Sequence, residues 1–239
     1  MLLVDHTCVT PAENLALDEL LLDEAEQHGA PREFLRLWEP DRPLVVIGRS
    51  SRFEIEVDRA ACERRQIPVL RRSSGGAAIV TGPGCLMYAV VLSYETYPHL
   101  RSIDQAHRHV MERLVAAIGT LIPGVAFQGT CDLTWQGCKF SGNALRCRRE
   151  HLLYHGTLLY DMSLDWIAEC LRMPPRTPDY RAGRGHRSFV TNLPVQRESL
   201  RDAVQRAFPT QGTYADWDRE RLQRLIAEKF GSDTWNQQW

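Results

Sequence analysis

Between two apolar runs, residues 67–70 and 77–80, the chain reads Arg71-Arg72-Ser73-Ser74-Gly75-Gly76. Few folds accept two fixed cations, two hydroxyls and two glycines between apolar runs. A strand has to stop there, the backbone has to turn tightly, and a second strand has to begin. Glycines also let a ligand approach backbone N–H groups, and arginine forks match phosphate or carboxylate oxygens. The stretch reads as an anion cradle, with a polar hairpin turn carrying solvated arginines as the alternative. It is neither G-x-G-x-x-G nor G-x-x-x-x-G-K-[ST], so it is not a Rossmann or Walker loop.

Around this turn, helices and strands mix without regular β-α-β alternation. Thr10-Pro11-Ala12-Glu13 opens a helix running to about Gly29. Strands are expected at 34–39 and 44–48 as a hairpin, and a short helix at 57–65. The runs 77–81 and 86–92, joined by Gly82-Pro83-Gly84, are expected to pair as antiparallel strands. A second long helix covers 102–117, and β-like pieces follow at 125–128, 132–135, 139–144 and 152–159. Helices are expected at 164–171, 200–207 and 217–230, with an arginine-rich loop at 174–187. The pattern predicts an α+β fold around a mixed, largely antiparallel sheet flanked by helices, as one domain over 1–239.

With 29 Lys and Arg against 30 Asp and Glu, the net charge of −1 gives no global case for binding nucleic acid or a membrane. Seven spread cysteines do not resemble a disulfide framework. The start lacks a basic n-region and no apolar run approaches bilayer length, so a reduced, cytoplasmic protein is expected.

A second constellation is Gly137-Cys138-Lys139-Phe140-Ser141-Gly142-Asn143-Ala144, followed by His155-Gly156-Thr157. On a strand, Lys139 and Ser141 share one face. A lysine directed into a site by small residues could polarise a carbonyl or neutralise a phosphate. An edge-strand lysine that discourages aggregation is the alternative. His155, taken alone, reads as a satisfied core histidine before it reads as a catalytic one. Cys131, Cys138, Cys147, His151 and His155 raise a zinc question. However, there is no C-x₂-C pair, and histidines four apart on a strand lie roughly 13 Å apart.

Taken in order, Glu13-Asn14-Leu15-Ala16-Leu17-Asp18-Glu19, Arg36-Leu37-Trp38, Val46-Ile47-Gly48-Arg49, the Arg71–Gly76 turn, Cys131-Asp132-Leu133, Gly137–Ala144 and His155–Leu159 resemble the lipoate–protein ligase A family. That family lies within the biotin/lipoate ligase and octanoyltransferase superfamily. The resemblance covers about residues 10 to 195. It implies a catalytic core like that of class II tRNA synthetases. It implies activation of lipoate with ATP and Mg²⁺ to lipoyl-AMP, then transfer to a lysine of a lipoyl domain or H-protein.

Carried over, Arg71, Arg72 and the turn of Ser74, Gly75, Gly76, Ala77, Ala78, Ile79 and Val80 would hold the acyl-adenylate. Lys139 would contact the lipoyl carbonyl and the phosphate. Asp132 would reach the nucleotide or its magnesium, and Gly142, Asn143 and His155 would line the pocket. Trp38, Val46, Ile79, Leu86 and Tyr88 are candidates for the acyl slot. Arg176, Arg181, Arg184 and Arg187 could steer an acidic acceptor or clamp the adenylate.

Ala77 stands where the family has a third glycine, Gly82-Pro83-Gly84-Cys85-Leu86 replaces Asp-x-Gly-Asn-Leu, and Cys131 replaces the Asn of Asn-Asp-Leu. The C-terminal accessory domain of long ligases is not expected here, so a separate subunit could supply adenylation. The alternative is an octanoyltransferase that works through a cysteine thioester, for which Cys131, Cys138 and Cys85 are available.

Overall fold

The computed structural model describes residues 1–238. Its strands are β1 (Leu2–Asp5), β2 (Phe34–Trp38), β3 (Leu44–Ile47), β4 (Val69–Arg71), β5 (Ile79–Thr81), β6 (Cys85–Ser93), β7 (Val125–Gln128), β8 (Asp132–Trp135), β9 (Cys138–Cys147) and β10 (His151–Leu159). Its helices are α1 (Pro11–Gln27), α2 (Phe53–Glu56), α3 (Arg59–Arg65), α4 (Ile103–Gly119), α5 (Asp165–Cys170), α6 (His186–Phe189), α7 (Arg197–Ala207), α8 (Arg219–Leu225) and α9 (Asp233–Asn236).

The large sheet runs β1-β2-β6-β10-β9-β8-β7 and is antiparallel except at β1/β2. A small sheet, β4-β3-β5, carries the arginine turn. The expected α+β class is therefore present, but two expected pairings are not. β2 and β3 do not form a hairpin, because each belongs to a different sheet. Likewise β5 pairs with β3 while β6 pairs with β2 and β10, so Gly82-Pro83-Gly84 carries the chain from one sheet to the other. Local turn chemistry looks the same in both cases; which sheet receives the next strand is a tertiary choice. The helix expected at 57–65 is present as α3 from Arg59, a short unexpected α2 precedes it, and Val57 between them is extended and bridged to Leu171.

β6 and β10 are buried along their whole length, because helices cover both faces. Leu86, Tyr88, Val90 and Leu92 of β6 face the layer of α4 and α7, whereas Ala89 and Val91 face that of α1 and α8. Helix α1 starts from a capping box, in which Thr10 Oγ1 accepts from Glu13 N and the Glu13 carboxylate accepts from Thr10 N. It buries Asn14, Asp18 and Glu19 among its leucines.

The site sits where β9 changes partner. Lys139, Ser141 and Gly142 pair with β8, and from Asn143 onward β9 pairs with β10. The two long strands part just there, so that Gly142 N is joined to β10 by the Thr157 hydroxyl, at 3.2 Å. The segment after α6 fills the side that β9 leaves open, with Thr191 N donating to Lys139 O at 2.9 Å. Among the described residues no helix is long and apolar enough to cross a membrane.

Candidate active site

The turn after β4 is tied down through its carbonyls. Arg49 N donates to Ser74 O at 2.8 Å and Ser51 Oγ to Gly76 O at 3.1 Å. The Arg72 guanidinium donates to Val46 O at 3.2 Å, to Ala77 O at 3.0 Å and to Gly75 O. Glu56 accepts the Ala78 N–H at 2.6 Å. Gly76 takes the left-handed φ of +89°, and a Cβ on Gly48 would lie 1.9 Å from Gly76 O. Ala77 is spared the left-handed region, which explains how alanine replaces a third glycine. Among the described residues the N–H groups of Gly75, Gly76 and Ala77 have no protein partner. Burial draws Arg72 down to about 10, so it remains a cation at neutral pH.

Arg71 does something else. Its side chain is fully buried and lines neither lobe of the cavity described below. Its guanidinium donates to Gly48 O, Arg49 O and Ser51 O, and to Trp235 O, Asn236 O and Gln238 O. The expected ligand contact is thus corrected: two adjacent residues of a strand point to opposite faces, and only Arg72 faces the cavity.

Lys139 Nζ lies 2.7 Å from Asp132 Oδ1, and Asp132 Oδ2 accepts the Tyr180 hydroxyl at 2.7 Å. Both oxygens of this carboxylate are engaged, and no group of three metal-ligating side chains occurs among the described residues. Mg²⁺ demands a near-ideal shell of six oxygens. Waters and substrate phosphates ordinarily supply most of that shell, so the one carboxylate of Asp132, which here holds the lysine, could still contribute a single ligand to a nucleotide-bound magnesium. Gly142 makes room for that lysine, since a Cβ would lie 3.0 Å from Nζ. Asn143 is saturated within the protein. Its Nδ2 donates to Cys131 O at 2.7 Å and to Ser141 Oγ at 3.0 Å, and its Oδ1 accepts from Tyr88. The Cys131 thiol donates to Asn143 O at 2.9 Å, and burial together with the Asp132 charge pushes it up to about 11.

Two lobes of a cavity meet at Lys139, Gly142 and Ala77–Ile79. One, of about 600 Å³, is lined by Leu15, Trp38, Val46, Ile79, Met87 and Ala144, with Arg72, Asp18, Asn143, His155 and Gly156 around them. The other, of about 690 Å³, has more varied walls, including Val80, Glu56, Ser141, Thr157, Arg172, Arg181 and His186. Of the residues expected in an acyl slot, Trp38, Val46 and Ile79 line the first lobe. Leu86 and Tyr88 do not; they point to the opposite face of β6, and Met87 between them lines the lobe. Ser74 is buried beneath the turn and Gly75 caps it from outside, so neither lines a lobe.

The arginine-rich stretch is not an open loop. Arg181 is buried, stacks on Phe189 at 4.5 Å and lines the second lobe with His186. Arg184 ties Gly137 O to Tyr180 O. Arg176 is exposed and Arg187 pairs with Asp165 at 3.0 Å, so these two face outward.

His155 is held on both ring nitrogens. Its Nε2 is 2.6 Å from Ser74 Oγ and its Nδ1 is 3.1 Å from Asp18 Oδ2. Asp18 in turn receives the buried Arg36 at 2.6 Å, and Arg36 also donates to Asn14 Oδ1 at 2.6 Å. Burial pushes the Asp18 carboxyl up, but Arg36 and His155 outweigh it and keep it below the ordinary carboxylate range. Sequence reasoning singled out neither Asp18 nor Glu56. For Asp18 a signal existed: Asn14 and Asp18 stand one helical turn apart inside an apolar stripe, opposite an arginine in a buried strand.

Comparison with known proteins bears on the same residues. The model of the lipoyl protein ligase A/B catalytic domain matches residues 10–209. An octanoyltransferase LipM from Carboxydothermus hydrogenoformans is 29% identical over 187 residues, covering 71% of this chain and 68% of the relative. A probable lipoate-protein ligase A from Mycoplasma pneumoniae is 28% identical over 163 residues, covering 68% of this chain. The match spans only 46% of that ligase, so the chain corresponds to about half of its length. A solved lipoate-protein ligase A bound with ATP superposes with a TM-score of 0.84, covering 99% of this chain and 98% of that one, at 23% identity, and so shares the fold. The family match takes in both the arginine turn and the lysine strand, and with them the whole two-lobed cavity: the chain belongs to the lipoyl protein ligase A/B catalytic domain family.

Proposed function

We propose that this chain is a lipoate–protein ligase. It converts lipoate and ATP to lipoyl-AMP and pyrophosphate, then passes the lipoyl group to a lysine of a lipoyl domain or H-protein-like acceptor, releasing AMP. One observation carries this reading. An apolar lobe and a more polar lobe open onto one lysine, as an acyl chain and a nucleotide joined through a carbonyl and a phosphate require.

In this reading the lipoyl chain lies between Leu15, Trp38, Val46 and Met87. The nucleotide lies under the 174–187 stretch, near Glu56, Arg181 and His186. The unpartnered N–H groups of Gly76 and Ala77 lie beside the phosphate. Lys139 stands between carbonyl and phosphate and stabilises the charge that grows on either during transfer. The acceptor amine forms the new amide bond as the bond to AMP breaks, so the enzyme supplies no nucleophile. A separate subunit for the adenylation step belongs to this proposal as an optional partner.

The second reading, octanoyl transfer from an acyl carrier protein, is favoured by one feature: Cys131 adjoins Asp132 and the Lys139 pair. The raised thiol weighs against it, since a thioester pathway starts from a thiolate. An acylation assay with a lipoyl domain separates the two. Lipoate with Mg-ATP in one reaction and octanoyl acyl carrier protein without ATP in another should give product only in the first. Product only in the second would replace the ligase reading.

A further inference from the structure

We infer that Asp18 and Ser74 act as one unit through His155, and that this unit fixes the Gly75–Ala78 turn in the shape that binds the acyl-adenylate. The inference rests on the ligase reading and deepens it.

The donor directions follow from the neighbours. Arg72 Nε, which is always a donor, lies 3.1 Å from Ser74 Oγ. Ser74 therefore accepts from Arg72 and is free to give its own hydrogen to His155 Nε2. The ring then carries its hydrogen on Nδ1 and donates it to Asp18, whose negative charge Arg36 balances. The sequence of groups is that of an activated serine, but Ser74 is only 1% exposed and lines neither lobe. Its hydroxyl cannot reach an acyl carbon in either lobe. What the chain of bonds can do is set the position of the backbone that follows.

Ser74 is where three restraints converge. Its carbonyl is held by Arg49 N, its hydroxyl by Arg72 and His155, and two residues later Gly76 O is held by Ser51. Without the His155 bond the hydroxyl keeps only its bond from Arg72, while the carbonyl side stays tied. The backbone that carries the free N–H groups of Gly76 and Ala77 would then be held less firmly. Asp18 does not touch the turn at all. It sits on α1 and lines the apolar lobe, so the acyl lobe and the phosphate cradle are braced by the same three side chains. Asp18 and Ser74 are thus positioning residues.

The test is a double-mutant cycle on binding of octanoyl-sulfamoyl adenosine, a non-hydrolysable acyl-adenylate analogue, measured by calorimetry. Asp18→Asn and Ser74→Ala should each weaken binding about tenfold, the effect of losing one hydrogen bond in a charged chain. The double variant should be no weaker than the worse single, because both break the same chain of bonds. Ser74→Ala should keep the wild-type circular dichroism spectrum and unfold cooperatively at a lower temperature, as the loss of buried hydrogen bonds requires. If Asp18→Asn does not fold, His155→Asn replaces it in the cycle with the same expectation.

Multiplying effects, roughly a hundredfold for the double variant, would overturn the coupling, as would single variants that bind like wild type. An acyl adduct on Ser74 after exposure to an octanoyl thioester would overturn the positioning role in favour of a nucleophile. A wild-type protein that does not bind the analogue would overturn the ligase reading and this inference with it. Binding by wild type with multiplying variants would sink this inference alone.

Discussion

Lys139 and Asp132 form an ion pair of 2.7 Å at the junction of the two lobes, with Tyr180 holding the far oxygen of the carboxylate. The lysine is thus placed by the protein before any substrate arrives, which is the condition for electrostatic help in a transition state. Lys139→Ala should slow lipoyl transfer from preformed lipoyl-AMP by about 10²–10³-fold while the circular dichroism spectrum is kept. Lys139→Arg should not restore it, because a planar fork cannot occupy the space of a compact ammonium beside Gly142. Single-turnover transfer to a lipoyl domain reads both variants, and a Lys139→Ala protein with wild-type rates would remove the lysine from the mechanism.

Cys131 is expected to be a spectator. Its thiol, pushed up to about 11 by burial first and the Asp132 charge second, is neutral across the physiological range. The raised value means that thiolate appears only as pH climbs toward it. Alkylation of Cys131 by iodoacetamide should therefore be slow at pH 7 and still rising at pH 9 when followed by peptide mass mapping. Cys131→Ser should retain transfer activity. A labelling plateau reached by pH 8, or loss of activity in the serine variant, would speak for the thioester route.

Chain-length selectivity should be set by the wall between Gly76 and Ala144. A Cβ built on Gly76 would stand 3.9 Å from the Ala144 Cβ, so the apolar lobe is narrow there. Ala144→Phe should raise KM for octanoate and lipoate by at least about tenfold, and for butanoate much less, since overpacking acts where the longer chain must pass. Equal effects on all chain lengths would place the acyl group elsewhere.

Arg71 is expected to matter for stability and not for affinity. Arg71→Met keeps the stem but leaves six backbone carbonyls without their donor. A loss of about 3 kcal/mol or more in urea unfolding should follow. Below the unfolding transition, the folded variant should bind the adenylate analogue within a few-fold of wild type. Strong weakening without destabilisation would return Arg71 to the ligand list.

Much of this molecule is readable in one dimension. The arginine turn, Lys139, Gly142 and His155 announce themselves because each breaks a local pattern: cations ending a strand, a charge among small residues, a histidine in a buried run. Helix α1 is equally plain from its capping box. Sheet membership is not readable in this way. β5 and β6 have the composition of a hairpin, and only the rest of the fold decides that β3 takes the first and β10 the second.

Strand alternation limited the site reading as well. A one-residue difference separates Arg71 from Arg72, and Met87 from Leu86 and Tyr88, and it reverses which side chain meets the cavity. Asp18 escaped notice for another reason. An acidic residue on a helix is ordinarily a solvated one, and its burial depends on Arg36, which lies 18 positions away.

The belt of carbonyls around Arg71 also bears on how the protein is made. Half of that belt comes from residues 235, 236 and 238, and Asn236 closes the backbone N–H of Arg71 from 165 positions further along the chain. During synthesis the phosphate turn will be exposed long before its fastening exists. Contacts of such sequence separation form late and slow the approach to the native state. A nascent chain paused before residue 235 should hold every group of the two lobes and still lack half of the belt that stabilises the end of β4.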